Sequence, residues 1–341
     1  MTQHPRVVIA PHFREMDEIF DAATLERLHR MCDVVWGRDG PMPVADFRAA
    51  LEDAVAVVFG TWHYGRDAIS DAGPSLRFVY EVAGGHHHAD LDYETCFERG
   101  ITVGGCAPAF GPVVAEMALA LALDAARLVS EGDRDFRAGE ERWLHDGTKG
   151  AVTFFGKTFG FLGAGGLSVS LQALLEPFGG AFLAYDPWVD PDVLRARGIE
   201  PVDLLELFDR SDVLYVLAVP TPENEGLVSR ELMERLGPTD VLAVISRAHL
   251  VDFEAMTDLV LEGRFRAATD VFPAEPFDPG HRIRRAPGAV LSAHRAGALP
   301  EALLEIGRMV IDDLETALAG GAPARMQYAT PEMIEGLRGV S

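Results

Sequence analysis

The sequence predicts an α/β protein of two units, each built on a doubly wound parallel sheet. Two observations carry this. Short apolar runs bounded by turn formers alternate with helical patterns from residue 157 to 293, and again before residue 105. A glycine turn, Gly163-Ala-Gly165-Gly166-Leu167-Ser168, joins one such run to the helical pattern Leu167–Leu175. Strand and helix alternating over this length imply parallel strands joined by crossover helices.

In the first unit, strands are expected at Arg6–Ala10, Ala54–Phe59, Leu76–Val82 and Ile101–Val103, with a helical pattern from about Glu15 to Met31. An alanine- and leucine-rich helix is expected from Pro112 to about Val129. Proline suits its first turn, where the missing N–H has no helical partner. Apolar residues occupy most of its faces, more than a surface helix needs. In the second unit the expected strands are Phe159–Gly163, Ala181–Asp186, Val213–Val219, Val241–Ser246, Arg266–Val271 and Val290–Ala293. Their short continuous apolar runs suit strands covered on both faces. A final helix is expected at Glu301–Leu318.

Length and composition narrow the class. At 341 residues with 48% apolar content, two domains are the natural expectation. A net charge of −23 argues against a nucleic-acid partner, because neutralising phosphates takes a basic surface. No apolar run approaches 18 to 20 residues, so no membrane span is expected. The opening Met-Thr-Gln-His-Pro-Arg-Val-Val-Ile-Ala reads as a first strand and not a signal peptide. Cys32, Cys96 and Cys106 are odd in number and form no C-x-x-C pair, so a reduced, cytoplasmic protein is expected.

The glycine turn carries the first functional reading. A tight turn between strand and helix lets backbone N–H groups and the helix N-terminus meet a pyrophosphate. Asp186 lies 23 positions after Gly163 and closes the next strand, where it would accept hydrogen bonds from a ribose. An acid there repels a 2′-phosphate and so favours NAD over NADP. A bare G-x-G match means little in a chain with 34 glycines. Strand, turn, helix, strand and acid in that order make the match specific. The second unit is therefore expected to be a Rossmann-like domain binding NAD.

Further motifs follow in order along nearly the whole chain: Gly85 with Asp92, Val114-Ala-Glu116, Trp143, Gly156-Lys-Thr158, Tyr185-Asp-Pro187 and Val219-Pro-Thr-Pro-Glu223. Ser246-Arg-Ala248, Leu250-Val-Asp252, Asp270-Val-Phe272, Glu275-Pro276 and Ala293-His-Arg-Ala-Gly297 complete the series. With these the chain resembles the D-isomer-specific 2-hydroxyacid dehydrogenases.

The resemblance implies a discontinuous, flavodoxin-like substrate-binding domain (1–108 with 306–341) and an NAD-binding domain (109–305). It implies an NAD-dependent enzyme that interconverts a 2-oxoacid and a D-2-hydroxyacid. It also implies a homodimer packed through the long helix. Arg247, Glu275 and His294 become the catalytic trio. A protonated imidazole neutralises charge developing on the substrate oxygen, and a carboxylate on the far ring nitrogen holds the tautomer. An arginine fork matches a planar carboxylate. Gly163, Gly165, Gly166, Leu167, Asp186, Pro220, Ser246 and Asp270 become cofactor residues, with Asp270 beside the nicotinamide. Thr61, Gly85, His86 and His87, together with Arg247, become substrate residues. Trp62, His63 and Tyr64 lie in a loop that lines the family's substrate pocket or else presents surface aromatics.

Several positions depart from the family pattern. Ser168 replaces the third glycine of the turn, Val244 an asparagine, Ala293 a proline and Arg295 an isoleucine. The substrate loop reads Gly85-His86-His87-His88, with His87 where a second glycine is usual. Adjacent histidines rarely converge on one ion and no second ligand motif is visible, so no metal is expected. Arg295 and the histidine run suggest a substrate with a second anionic group, against the plainer reading that Arg295 pairs with a surface acid. Formate dehydrogenases carry glutamine where Glu275 stands, whereas phosphite dehydrogenases keep a similar trio. A phosphite- or phosphonate-type dehydrogenase and a non-enzymatic NAD-sensing protein are the alternatives.

Overall fold

The computed structural model describes residues 4–84, 88 and 90–336. Gly85, His86 and His87 lie outside the described residues, and so does what was expected of them. The chain divides into two compact units, Met1–Phe110 with Ala298–Ser341, and Gly111–Gly297.

In the first unit the strands are β1 (Arg6–Ala10), β2 (Asp33–Trp36), β3 (Ala54–Phe59), β4 (Phe78–Glu81) and β5 (Thr102–Gly105). The second unit contributes β6 (Thr158–Leu162), β7 (Ala181–Tyr185), β8 (Glu200–Pro201), β9 (Val213–Val216), β10 (Val241–Val244), β11 (Arg266–Thr269) and β12 (Ala289–Leu291). The short β13 (Gln327–Tyr328) returns to the first unit and pairs antiparallel with β5.

The first sheet runs β13-β5-β4-β3-β1-β2 and the second β12-β11-β10-β9-β6-β7-β8. Apart from β13 every pairing is parallel. In each sheet the order reverses once, between β1 and β3 in the first and between β6 and β9 in the second. Open α/β sheets bind their ligands beyond the carboxyl ends of the strands at such a reversal.

Both sheets are covered on both faces, as their apolar runs predict. Along β10, Val241 and Ala243 join one core cluster while Leu242 and Val244 join the other. Val244, which replaces a polar family residue, is thus a fully buried core residue. In β1, Val8 and Ala10 face one cluster, and Val7 and Ile9 the other. The helix Pro300–Leu318 lays Ile306, Val310 and Leu314 on the core of the first unit.

The long helix spans Ala107–Arg127, so Pro112 sits inside it and not in its first turn. The proline ring leaves the carbonyl four residues earlier without its usual partner. At 21 residues this helix is long and apolar enough, by length and composition alone, to cross a membrane, a test that the core helix of a folded domain also passes. Glu116 and Asp124 interrupt the run to the eye, but a helix is apolar on average and need not be continuously so. Ala115, Ala118, Ala122 and Ala126 bury one face of it in the core of the second unit. Leu128, at φ 59, ends it and starts a further helix, Val129–Ala138.

Candidate active site

Most candidate residues of the second unit lie on loops past a strand's carboxyl end, and Gly166 and Leu167 open the helix after β6. Gly163 follows β6, Asp186 follows β7, Pro220 follows β9, Ser246 and Arg247 follow β10, Asp270 follows β11 and His294 follows β12.

At Gly163 the backbone turns at φ +95, and a Cβ there would lie 2.4 Å from the Ala218 nitrogen, so only glycine fits. Gly165 caps the helix Gly166–Leu175 without a side-chain bond. A Cβ on Gly165 or Gly166 would meet nothing within 4 Å, which leaves the front of the turn open. Its first amides are therefore available to an anion, and the helix N-terminus favours one. Ser168 is fully buried, and its hydroxyl donates to the Gly165 carbonyl at 2.7 Å. A small hydroxyl thus takes the third glycine's place without opening the turn.

Asp186 is half-buried, and its carboxylate is held by two backbone amides. Ala164 N–H donates to Oδ2 at 2.7 Å and Trp188 N–H to Oδ1 at 2.9 Å. Each oxygen keeps a further lone pair for a ribose hydroxyl. The Ser246 hydroxyl is buried with no hydrogen-bond partner. Together the open turn, the aimed carboxylate and the unpartnered hydroxyl fit a dinucleotide.

The trio assembles within this same unit. His294 Nδ1 lies 2.6 Å from Glu275 Oε2, and Phe272 N–H donates to Glu275 Oε1 at 3.0 Å. With Nδ1 on the carboxylate, Nε2 is the nitrogen left for exchange. Arg247 Nη1 donates to the Ser246 carbonyl at 2.7 Å. Burial lowers the pKa of the Arg247 guanidinium, and the charge of Glu275 opposes that shift. The group remains a cation at any ordinary pH.

Asp270 is 1% exposed, and both its carboxylate oxygens are engaged. Arg295 N–H donates to Oδ1 and Ala296 N–H to Oδ2, each at 2.9 Å, and His294 N–H donates to the Asp270 carbonyl at 2.7 Å. The structure therefore gives it work the sequence reading missed: it clamps the loop that carries His294. That histidine sits at φ +50, a left-handed conformation that such a clamp can hold. An aspartate just past a strand and 24 positions before His294 carries no local signal of this pairing.

In the first unit Thr61 is exposed, and its N–H donates to the His12 carbonyl at 2.6 Å. Trp62 and Tyr64 are core residues, 3% and 1% exposed, against the reading of them as surface aromatics. They pack with Phe47, whose ring stacks on Tyr64 at 3.4 Å between centroids. His63 is exposed. Of the histidine run, His88 is half-buried with Nε2 3.9 Å from Glu81 Oε1. Arg295 is exposed, and among the described residues its guanidinium forms no ion pair.

Residues 119–296 match the family description "D-isomer specific 2-hydroxyacid dehydrogenase, NAD binding domain". The chain belongs to the D-isomer-specific 2-hydroxyacid dehydrogenase family. It is 31% identical to a D-3-phosphoglycerate dehydrogenase of Mycobacterium leprae over 299 residues, 87% of this chain and 55% of that one. It is 30% identical to a glyoxylate reductase of Korarchaeum cryptofilum over 76% of this chain and 78% of that one. Among solved structures, a phosphoglycerate oxidoreductase from Rhizobium etli aligns with TM-score 0.86 at 30% identity, covering 96% of this chain and 99% of that one. The chain spans about half the length of the phosphoglycerate dehydrogenases it matches. As in the family description, the second unit is the nicotinamide-dinucleotide domain.

Proposed function

We propose that this protein is an NAD-dependent dehydrogenase interconverting a 2-oxoacid and a D-2-hydroxyacid. The observation that carries the proposal is the 2.6 Å contact of His294 Nδ1 with Glu275, in the same unit as the half-buried Arg247 and the open glycine turn. The names of the relatives, dehydrogenases and reductases of such acids, favour it over the phosphite and sensor alternatives.

Arg247 binds the substrate carboxylate with its fork and polarises the neighbouring oxygen. His294 holds its exchangeable proton at Nε2 and delivers it to that oxygen in reduction, or removes it in oxidation. Glu275 keeps Nδ1 protonated and stabilises the imidazolium as it forms. The bound nicotinamide supplies the hydride for reduction, or accepts it in oxidation. Gly163, Gly165, Gly166 and Leu167 hold the pyrophosphate, Asp186 the adenosine ribose, and Pro220 and Ser246 line the rest. Asp270 acts on this site through the His294 loop.

Two further assignments complete the reading. The protein forms a two-fold dimer through the long helix and the segment after it, where Val129, Phe136, Trp143 and Leu144 are exposed apolar side chains close in sequence. It works in the cytoplasm, where its three buried cysteines, none in a disulfide among the described residues, stay reduced. The deciding experiment follows NADH oxidation with glyoxylate, hydroxypyruvate, 3-phosphohydroxypyruvate, pyruvate and phenylpyruvate. Turnover of at least one is expected. No turnover of any, in protein that binds NADH, overturns the proposal.

A further inference from the structure

Behind the glycine turn lies a cation that the family resemblance did not single out. Arg197 follows the short helix Pro191–Ala196, and its guanidinium reaches back to the turn. Nη1 donates to the Ala164 carbonyl at 2.8 Å, and Nη2 donates to Ser168 Oγ at 3.0 Å and Gln172 Oε1 at 3.4 Å. The Gln172 amide returns a bond to the Arg197 carbonyl at 2.7 Å, which fixes the arginine's own backbone. Ala164, the middle residue of the turn, is therefore gripped from both sides. Asp186 takes its N–H and Arg197 its C=O.

The acceptors are all neutral. Among the described residues Arg197 forms no ion pair, whereas Arg195, two positions away, pairs with Asp192. The group is half-buried, and burial lowers its pKa, so its charge is incompletely offset. Its guanidinium also lies beside the first turn of the helix Gly166–Leu175, whose own dipole is positive at that end. A cation beside a helix N-terminus, held on neutral groups, is an unfavourable arrangement. An anion at the open face of the turn relieves both terms together.

We propose that Arg197 is a positioning residue for the diphosphate of the bound dinucleotide. It sets the shape of the turn through Ala164 and Ser168, and its positive charge adds to that of the helix N-terminus. This rests on the second unit binding a dinucleotide, and it goes beyond that reading in naming a residue outside the glycine motif that favours the anionic part of the ligand. It also accounts for the tolerance of Ser168. The hydroxyl is a bridge between the Gly165 carbonyl and the guanidinium, which a third glycine would lack.

The test compares ligands that share the adenosine group and differ in phosphate. Dissociation constants of NADH, ADP and adenosine are measured by calorimetry, at low and at high salt, for wild type, Arg197→Gln and Arg197→Lys. Circular dichroism checks that each variant is folded. For Arg197→Gln, NADH and ADP are expected to weaken about tenfold, adenosine to change less than twofold, and the salt dependence of ADP binding to become shallower. Arg197→Lys is expected to keep most of the ADP affinity, because it keeps the charge. Equal weakening of ADP and adenosine, or unchanged ADP affinity in folded Arg197→Gln, overturns the proposal. If Arg197→Gln does not fold, the lysine variant decides: equal loss of ADP and adenosine there assigns the residue to turn shape alone. Failure of wild type to bind NADH or ADP at all would instead refute the dinucleotide reading itself, and this inference with it.

Discussion

Glu275 Oε2 meets His294 Nδ1 at 2.6 Å, while the same carboxylate's other oxygen accepts the Phe272 amide at 3.0 Å. The acid is thereby oriented by its own loop before it orients the histidine. A carboxylate fixed at both ends holds the imidazole in one tautomer, which a freely rotating partner would not.

His294→Ala is expected to lower kcat by roughly 10² to 10⁴, the usual contribution of a general acid–base group. NADH affinity, measured by fluorescence titration, should stay within about twofold, because nothing on the glycine turn depends on the ring. Glu275→Gln should move a limb of the pH–rate profile and keep partial activity. Near-wild-type turnover of His294→Ala would remove the histidine from the mechanism.

Asp270→Ala should affect both stability and rate. It strands the Arg295 and Ala296 amides, of which the Ala296 amide is buried, and such a loss costs about 1–3 kcal/mol. With the clamp gone, kcat should fall although the trio is intact. Urea denaturation and steady-state kinetics on the same preparation check this. A variant destabilised but fully active would limit Asp270 to a structural role.

Asp186→Ser should erode the preference for NADH over NADPH. Wild type is expected to prefer NADH by about tenfold or more, equivalent to about 1.4 kcal/mol. The ratio of kcat/KM for the two cofactors is the measurement. Equal use of both by wild type would show that the aspartate does not select the ribose.

Glu81 carries a pH dependence in the first unit. Burial raises its pKa, but His88 and the amides of Gly84 and Cys106 outweigh burial and hold it below the ordinary glutamate value of 4.5. A carboxyl whose folded pKa is lowered stabilises the fold above its unfolded pKa and loses that contribution as pH falls through the folded value. Glu81→Gln also turns an amide donor toward the Cys106 N–H, which now donates to Oε2. The variant should therefore be less stable than wild type at pH 7, by about 1–3 kcal/mol. The gap in denaturation midpoint should narrow as pH falls below 4.5. A gap constant with pH would show that the carboxylate charge contributes nothing.

A mass of two chains is expected by light scattering at micromolar concentration. Trp143→Glu and Leu144→Glu should shift it toward one, since each places a charge on the exposed apolar segment. A single-chain mass in wild type would remove the dimer from the reading.

What the sequence by itself determined is local or periodic. The buried strands show as short apolar runs, because a strand covered on both faces has no polar side to display. The glycine turn shows in Gly163 because no other residue tolerates that φ and that approach to Ala218. The contact between His294 and Glu275 joins two residues that the sequence motifs single out. Tertiary structure alone decided what depends on partners distant in the chain. Asp270 meets amides 25 and 26 residues later, and Arg197 a carbonyl 33 residues earlier. Trp62 and Tyr64 looked like loop aromatics until Phe47 was placed beside them. The edge strands β2 and β13, four and two residues long, are too short for a period to register. A hydrogen bond to a remote backbone amide constrains geometry without constraining the neighbouring residue types, so it leaves no pattern along the chain.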